Sequence, residues 1–489
     1  MSLNNKVQLI TYADSLGGDL AALNYVLEHH FKGLFQGGIH ILPPFPSTGD
    51  RGFAPVSYFQ IEPTFGSWKD IQTLTQNYPV MLDLMVNHIS SSSEFFKDYL
   101  QNGVKSKFAD MFLDAEKFWP GGEPAQADID KIFLRRESPF SEFKVGPDHE
   151  VRKLWTTFGE GNPSDQVDVD VNSPITRDLF VKILRHFQEN GIQYIRLDAV
   201  GYVVKKLGTS CFFVEPEIYA FMEWIKTAAR EAEIELLPEV HAEFPIQKNL
   251  SDHGYWIYDF MLPYLILETL VKKDSRKLKD YLQVRPTRQF TMLDCHDGIP
   301  VKPDMNGYYD SDTVKEIVAL CAERGGNMNR VISAEHQDPD GFDVHQIRGT
   351  YYSMLGNDDD AYYAARAIQL FTPGIPQVYY VGLLAGMNDQ EAYARTGEGR
   401  EINRHSYTLE EITQEMEREI VKRLMRLIQF RSEYSAFDGA CTFASCTDKE
   451  VCIEWRKEDD FARLKLDLLS NRTTITYLDH ASGQEAMLA

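Results

Sequence analysis

Three acidic residues end three separate apolar runs: Asp198 in YIRLDAV, Glu239 in IELLPEVH and Asp297 in QFTMLDCHD. A fourth run, PVMLDLMVNH, ends in Asn87 and His88. Each run is predicted to be a short buried strand that stops in polar groups. Side chains at the C-terminal ends of parallel barrel strands converge on one mouth. Carboxylates gathered there suit the breaking of glycosidic bonds, one as nucleophile and another as general acid/base. Arg196 lies two positions before Asp198, so strand alternation puts both on one face. A guanidinium in that place is expected to keep the carboxylate ionised. His241 shares a face with Glu239 by the same alternation, and His296 directly precedes Asp297. Any single strand-end carboxylate could instead cap a helix or pair with an arginine. The combination points to sugar chemistry.

The elements that must position these groups follow a rhythm. Strand-like runs at 7–13, 37–43, 79–86, 194–199, 234–240, 256–261, 289–295 and 375–381 alternate with helix-period segments. Those helices are expected at 175–190, 216–232, 262–284, 359–371 and 410–433, among others. Eight such repeats predict the α/β class and a (β/α)8 TIM barrel. Two intervals break the rhythm and are predicted to be inserted loop domains over the mouth. After the last helix, TFASC, EVCIEWR, ARLKLDLL and TTITYLD alternate like the strands of a small C-terminal antiparallel β-domain. The expected division is barrel 1–87, first insertion 88–165, barrel 166–295, second insertion 296–356, barrel 357–435 and β-domain 436–489.

Composition narrows the partners. Hydrophobic residues make up 43% of 489, enough for a large core. The formal net charge of −23 disfavours nucleic acid, whose phosphates need a positive footprint. The opening MSLNNKVQLITYADSLGG has no basic segment leading into an apolar one, so no secretory signal is expected. No apolar run reaches the ~20 residues that span a bilayer. The six cysteines form no CxxC pair, which favours reduced thiols and a cytoplasmic setting. No zinc spacing or dinucleotide fingerprint occurs, so neither metal nor organic cofactor is expected.

DLMVNH, GIQYIRLDAV, LPEVH and MLDCHD, in this order, resemble the four signature regions of the α-amylase superfamily, glycoside hydrolase family 13. The resemblance implies Asp198 as nucleophile, Glu239 as general acid/base and Asp297 as transition-state stabiliser. A retaining reaction between such a pair requires carboxyl groups about 5–5.5 Å apart. QLITYADSLGG, FPSTGDRGFAPVSY, GTSCFFVEPEIY, PGIPQVYYVGLLAG and GREINRH resemble the sucrose phosphorylases over nearly the whole chain. The two matches together imply a glucosyl site: His88, Arg196 and His296 from the superfamily, and Asp50, Phe53, Phe158, Gln166 and Arg404 from the sucrose phosphorylases, with His241 added by its place beside Glu239. The second match also implies sugar and inorganic phosphate as partners of a monomer or homodimer.

Two departures bear on the acceptor. The family's usual Tyr is His345 in DGFDVHQIRG, beside Asp343 and Gln346, with a further cation at Arg348. KIFLRRESPF brings Arg135 and Arg136. FLRR and DGFDVHQ resemble the branch of the family that acts on sucrose 6′-phosphate, and planar guanidinium forks suit phosphate oxygens. Plainer roles compete at single positions: loop packing for Phe53 and Phe158, a surface ion pair for Arg404, solvated surface for Arg135, Arg136 and Arg348.

Overall fold

Every one of the eight predicted barrel strands forms, and each is shorter than its apolar run. They are β1 Gln8–Thr11, β2 Gly38–Ile41, β3 Val80–Met85, β4 Tyr194–Asp198, β5 Glu235–Pro238, β6 Ile257–Asp259, β7 Gln289–Thr291 and β8 Ile375–Tyr379. The computed structural model describes residues 3–488, so positions 1, 2 and 489 of the expected outer spans lie outside the described residues. One parallel sheet carries the strands in the order β6-β7-β8-β1-β2-β3-β4-β5, a cyclic permutation of chain order. The fold is a (β/α)8 barrel with a C-terminal antiparallel sheet.

The chain divides into two compact units, the first formed by Ile41–Val240 and Val331–Asp343. In it β3 pairs with β4, setting Asp83 beside Arg196 and Met85 beside Asp198. β4 pairs in turn with β5, Arg196 beside Leu237. All six residues of β3 are buried, so its Asp83 needs a partner within the fold. The 88–165 interval is ordered structure: His88–Ser90 runs antiparallel to Gln166–Asp168, and Phe140–Val145 forms a hairpin with Glu150–Trp155. Trp119, Phe140 and Trp155 anchor its own small core. Val331–Asp343, expected within the second insertion, belongs to this unit. Val331 packs with Phe133, Ala199 and Tyr202, and Ser333 Oγ bridges the backbone of Ile132 and Leu134.

The second unit is the rest of the described chain. β1 pairs with β8 and β7 joins β6 to β8, all parallel. The 296–356 interval contributes the helix Ser311–Glu323 and a three-stranded antiparallel sheet of Ile299–Pro300, Asn327–Arg330 and Val344–Arg348. Two expected helices are each broken. Lys273 adopts a left-handed φ of +53° and separates Leu262–Lys272 from Arg276–Val284. Arg418 is extended and separates Leu409–Glu415 from Glu419–Glu433. Neither break carries a proline or glycine that periodicity could register. The C-terminal sheet has five strands, β9 Ala440–Phe443, β10 Glu450–Lys457, β11 Asp460–Asp467, β12 Arg472–Asp479 and β13 Gln484–Met487. The fifth, QEAM, lacks the apolar alternation that betrays the others. Trp455 ties the sheet to its neighbouring helix through Nε1 to Phe371 O at 2.7 Å.

Candidate active site

In the first unit one guanidinium holds three carboxylates. Arg196 NH1 donates to Asp83 Oδ1 at 2.6 Å and to Asp198 Oδ1 at 2.8 Å. Its NH2 lies 3.0 Å from Glu239 Oε1. Strand alternation explains the first two contacts, and the turn after β4 explains the rest. Ala199 is left-handed at φ +53°, and its N–H donates to Glu239 Oε2 at 3.0 Å. Glu239 and Asp198 therefore sit on adjacent nitrogens of one planar fork. Arg196 draws the Asp198 carboxyl towards its ionised form, as the sequence leads one to expect, but burial works against it. Burial pushes the Asp198 carboxyl well above its ordinary range; Arg196 opposes, while Glu239 and Asp83 push it further up. Removal of the carboxyl from water is the largest influence and outweighs the guanidinium.

The groups expected around the glucosyl unit gather here too. Phe53 lies against Arg196, its ring 5.7 Å from the guanidinium carbon. His88 Nε2 donates to Phe53 O at 3.0 Å, and burial lowers the imidazole's pKa. Phe158 packs 5.5 Å from His88 and 4.9 Å from Tyr202. Gln166 is buried, and its Oε1 has no hydrogen-bond partner among the described residues. Asp50 and Arg51 are both left-handed, at φ +40° and +47°. A Cβ on the next residue, Gly52, would fall 2.3 Å from Pro43 O. Two successive non-glycine residues in the left-handed region cost about 1–3 kcal/mol each, which the surrounding contacts must offset.

Of the two expected phosphate ligands here, Arg135 lies over the Phe158 ring at 5.8 Å. Arg136 turns inward instead: NH1 reaches Ser141 and Thr156 hydroxyls, and NH2 donates to Gly161 O at 2.6 Å. Its guanidinium braces the loop that carries Phe158. Asp343 lies in this unit, half-buried, and its carbonyl accepts from Val331 N–H.

Sequence reasoning missed Lys205. Its Nζ is gripped by Tyr202 O at 2.6 Å, Thr157 Oγ1 at 2.8 Å, Asp168 Oδ2 at 2.8 Å and Asn87 Oδ1 at 3.1 Å. This buried ammonium sits behind His88 and ties four segments together. Replacing Lys205 by Met should lower the unfolding free energy by about 3–5 kcal/mol, because the buried Asp168 loses its counter-charge and keeps only hydrogen bonds from Thr157 and Asn87. Urea denaturation measures it; a loss under ~1 kcal/mol would mean that Asp168 is neutralised some other way.

The second unit supplies the other expected groups. Asp297 Oδ1 receives Arg400 NH2 at 3.1 Å, and His296 Nε2 lies 3.5 Å from Asp297 Oδ2. Within GREINRH the sequence singles out Arg404 and not Arg400. Arg404 is buried, not a surface ion pair: Nε donates to His296 O at 3.1 Å and the guanidinium lies 5.6 Å from the Tyr12 ring. It fixes the backbone from which His296 projects. His241 stacks on Phe260 at 3.9 Å and donates Nδ1–H to Asp304 Oδ2 at 3.0 Å. His345 lies 5.8 Å from His241 and donates Nδ1–H to Lys302 O. Gln346 is buried with Oε1 unpartnered among the described residues. Arg348 is half-buried beneath the Gly399 turn, where a Cβ on Gly399 would meet its NH1 at 2.3 Å. It supports the loop that bears Arg400.

The barrel and its strand-end carboxylates place the chain among the α-amylase-type enzymes, and the profile of the alpha amylase catalytic domain matches residues 10–244. Within that group the chain belongs to the sucrose phosphorylase family, the sucrose 6(F)-phosphate phosphorylases included. It is 54% identical over 485 residues to the sucrose 6(F)-phosphate phosphorylase of Thermoanaerobacterium thermosaccharolyticum, covering 99% of each chain. It is 42% identical over 481 residues to the sucrose phosphorylase of Streptococcus mutans, covering 98% of each. The crystal structure of sucrose 6F-phosphate phosphorylase from Thermoanaerobacter thermosaccharolyticum matches with a TM-score of 0.98 over 100% of this chain and 99% of that one. Among the described residues no helix is long and apolar enough to cross a membrane, and the six cysteines are free thiols.

Proposed function

We propose that the protein catalyses reversible phosphorolysis of sucrose 6′-phosphate to α-glucose 1-phosphate and fructose 6-phosphate. The supporting observation is full-length likeness to the sucrose 6(F)-phosphate phosphorylase, together with Arg135 and His345 at the two positions where the acceptor chemistry diverges. Glu239 donates its proton to the glycosidic oxygen while Asp198 attacks the anomeric carbon, forming a covalent glucosyl ester and releasing fructose 6-phosphate. Glu239, now a carboxylate, takes a proton from inorganic phosphate. A phosphate oxygen attacks the same carbon and displaces Asp198, so two inversions retain the α-configuration. Asp297 and Arg196 handle the charge of the oxocarbenium-like state. The residues around Phe53, His88 and Asp50 hold the glucosyl unit, and those around Arg135, Asp343, His345 and Gln346 receive the departing sugar phosphate or the incoming phosphate. The six-part domain division belongs to this reading, with both insertions serving the acceptor side. So does action in the cytoplasm on small molecules, as a monomer or homodimer without cofactor.

Sucrose phosphorylase and glucosylglycerate phosphorylase keep the chemistry and change only the acceptor. Phosphate-dependent release of glucose 1-phosphate, compared for sucrose and sucrose 6′-phosphate, separates them. Higher efficiency with the phosphorylated donor and an α-configured product are expected. A preference for sucrose would assign the chain to the parent activity, and a β-product would overturn the double displacement.

A further inference from the structure

We propose that Cys295, His296 and Asp297 form an inhibitory binding site for one soft divalent cation of the zinc class. The three are buried, and one ligand atom from each lies within 4.8 Å of the others. His296 Nε2 and Asp297 Oδ2, 3.5 Å apart, already have the spacing of two ligands on one tetrahedral ion. Bonds of about 2.0–2.3 Å place such ligands roughly 3.3–3.8 Å from each other. The thiol completes the set because the chain turns tightly after β7. Cys295 Sγ accepts the Asp297 N–H at 3.4 Å and lies 3.8 Å from Gly298 O, so the sulfur sits over the turn rather than pointing away from it.

Charge decides which ion fits. Arg400 holds Asp297 Oδ1, leaving Oδ2 on the histidine side. That guanidinium works against a hard cation held by carboxylate alone. A thiolate adds negative charge and a soft donor, which selects zinc or cadmium over magnesium or calcium. Binding replaces the S–H bond by a sulfur–metal bond and releases the proton to solvent, so affinity rises with pH. Three protein ligands leave the fourth position to water. An ion there removes Asp297 and His296 from the donor, which makes it an inhibitor. Only that kinetic consequence rests on the proposed function; binding itself does not.

Metal-free, untagged protein titrated calorimetrically with Zn2+, and with Cd2+ while thiolate-to-cadmium absorption is followed, tests the site. One ion per chain is expected, with affinity at least about tenfold weaker in Cys295→Ser and no comparable binding of Mg2+. Serine keeps both hydrogen-bonding roles of the thiol, and Cys295→Ala provides a second variant should the first misfold. Zn2+ should also suppress glucose 1-phosphate release from wild type, competitively with donor and reversibly by chelator. Equal affinity in wild type and both variants, or an absorption band surviving in them from the other five cysteines, would overturn the assignment. Binding that follows the expectation without any glucose 1-phosphate formation would leave the site standing and count against the proposed reaction.

Discussion

Asp198→Asn should lower turnover by at least about 10⁴-fold while leaving the protein folded. The substitution keeps shape and removes the carboxylate proposed to form the glucosyl ester. It should not destabilise, because Arg196 faces three carboxylates and their mutual repulsion falls when one is neutralised. An unchanged or raised melting temperature is expected, as when strain at an active site is relieved. Glu239→Gln should behave differently. It should nearly abolish turnover of sugar donors, yet keep glucosyl-enzyme formation from a donor such as α-glucosyl fluoride, whose leaving group departs unprotonated. Similar losses with both donors in both variants would contradict the division of roles.

The same cluster gives a pH signature. Burial and two neighbouring carboxylates raise the Asp198 pKa, so the nucleophile gains its proton at a higher pH than an exposed aspartate would. Activity is present above that pKa and lost as pH falls through it. The acid limb of kcat/KM therefore lies above the ordinary carboxylate value of about 4. Arg196 is the opposing influence, and its replacement by Gln should move the limb to still higher pH.

The fold and the centre of the site were legible for a common reason. Apolar runs of fixed length, each ended by a polar group, reveal both a strand and the place where it stops. Asp198 ends β4 and Glu239 directly follows β5, whereas β7 stops at Thr291 and Asp297 lies in the turn beyond it. What escaped depends on distance in the chain. Lys205 sits in GYVVKKLG, where nothing distinguishes it from a solvated lysine; its importance comes from Asn87, Thr157 and Asp168, up to 118 positions away. Arg400 and Arg404 share one short motif, and only geometry assigns the first to Asp297 and the second to the backbone of His296. Arg135 and Arg136 are adjacent, yet only the second is drawn into the loop by Ser141, Thr156 and Gly161. Helix breaks at Lys273 and Arg418 escaped because helix-forming residues occupy them.

Acceptor specificity should separate these neighbours. Arg135→Ala is expected to lower kcat/KM for sucrose 6′-phosphate roughly 10- to 100-fold, since one charge-assisted hydrogen bond contributes about 1.5–3 kcal/mol. Sucrose should lose far less, because no phosphate is left unpaired. Arg136→Ala should instead depress both donors together, since its guanidinium braces the Phe158 loop. His345 is held by its Nδ1–H on Lys302 O, which orients the ring. His345→Tyr introduces the residue that the family resemblance implies for the sucrose-acting members, so it should narrow the ratio between donors from both ends, weakening the phosphorylated donor and sparing or raising sucrose. Kinetics of the three variants with both donors decide the matter. Equal losses with sucrose and its 6′-phosphate in Arg135→Ala and His345→Tyr would remove both residues from the phosphate site, and the parent activity would then describe the protein better.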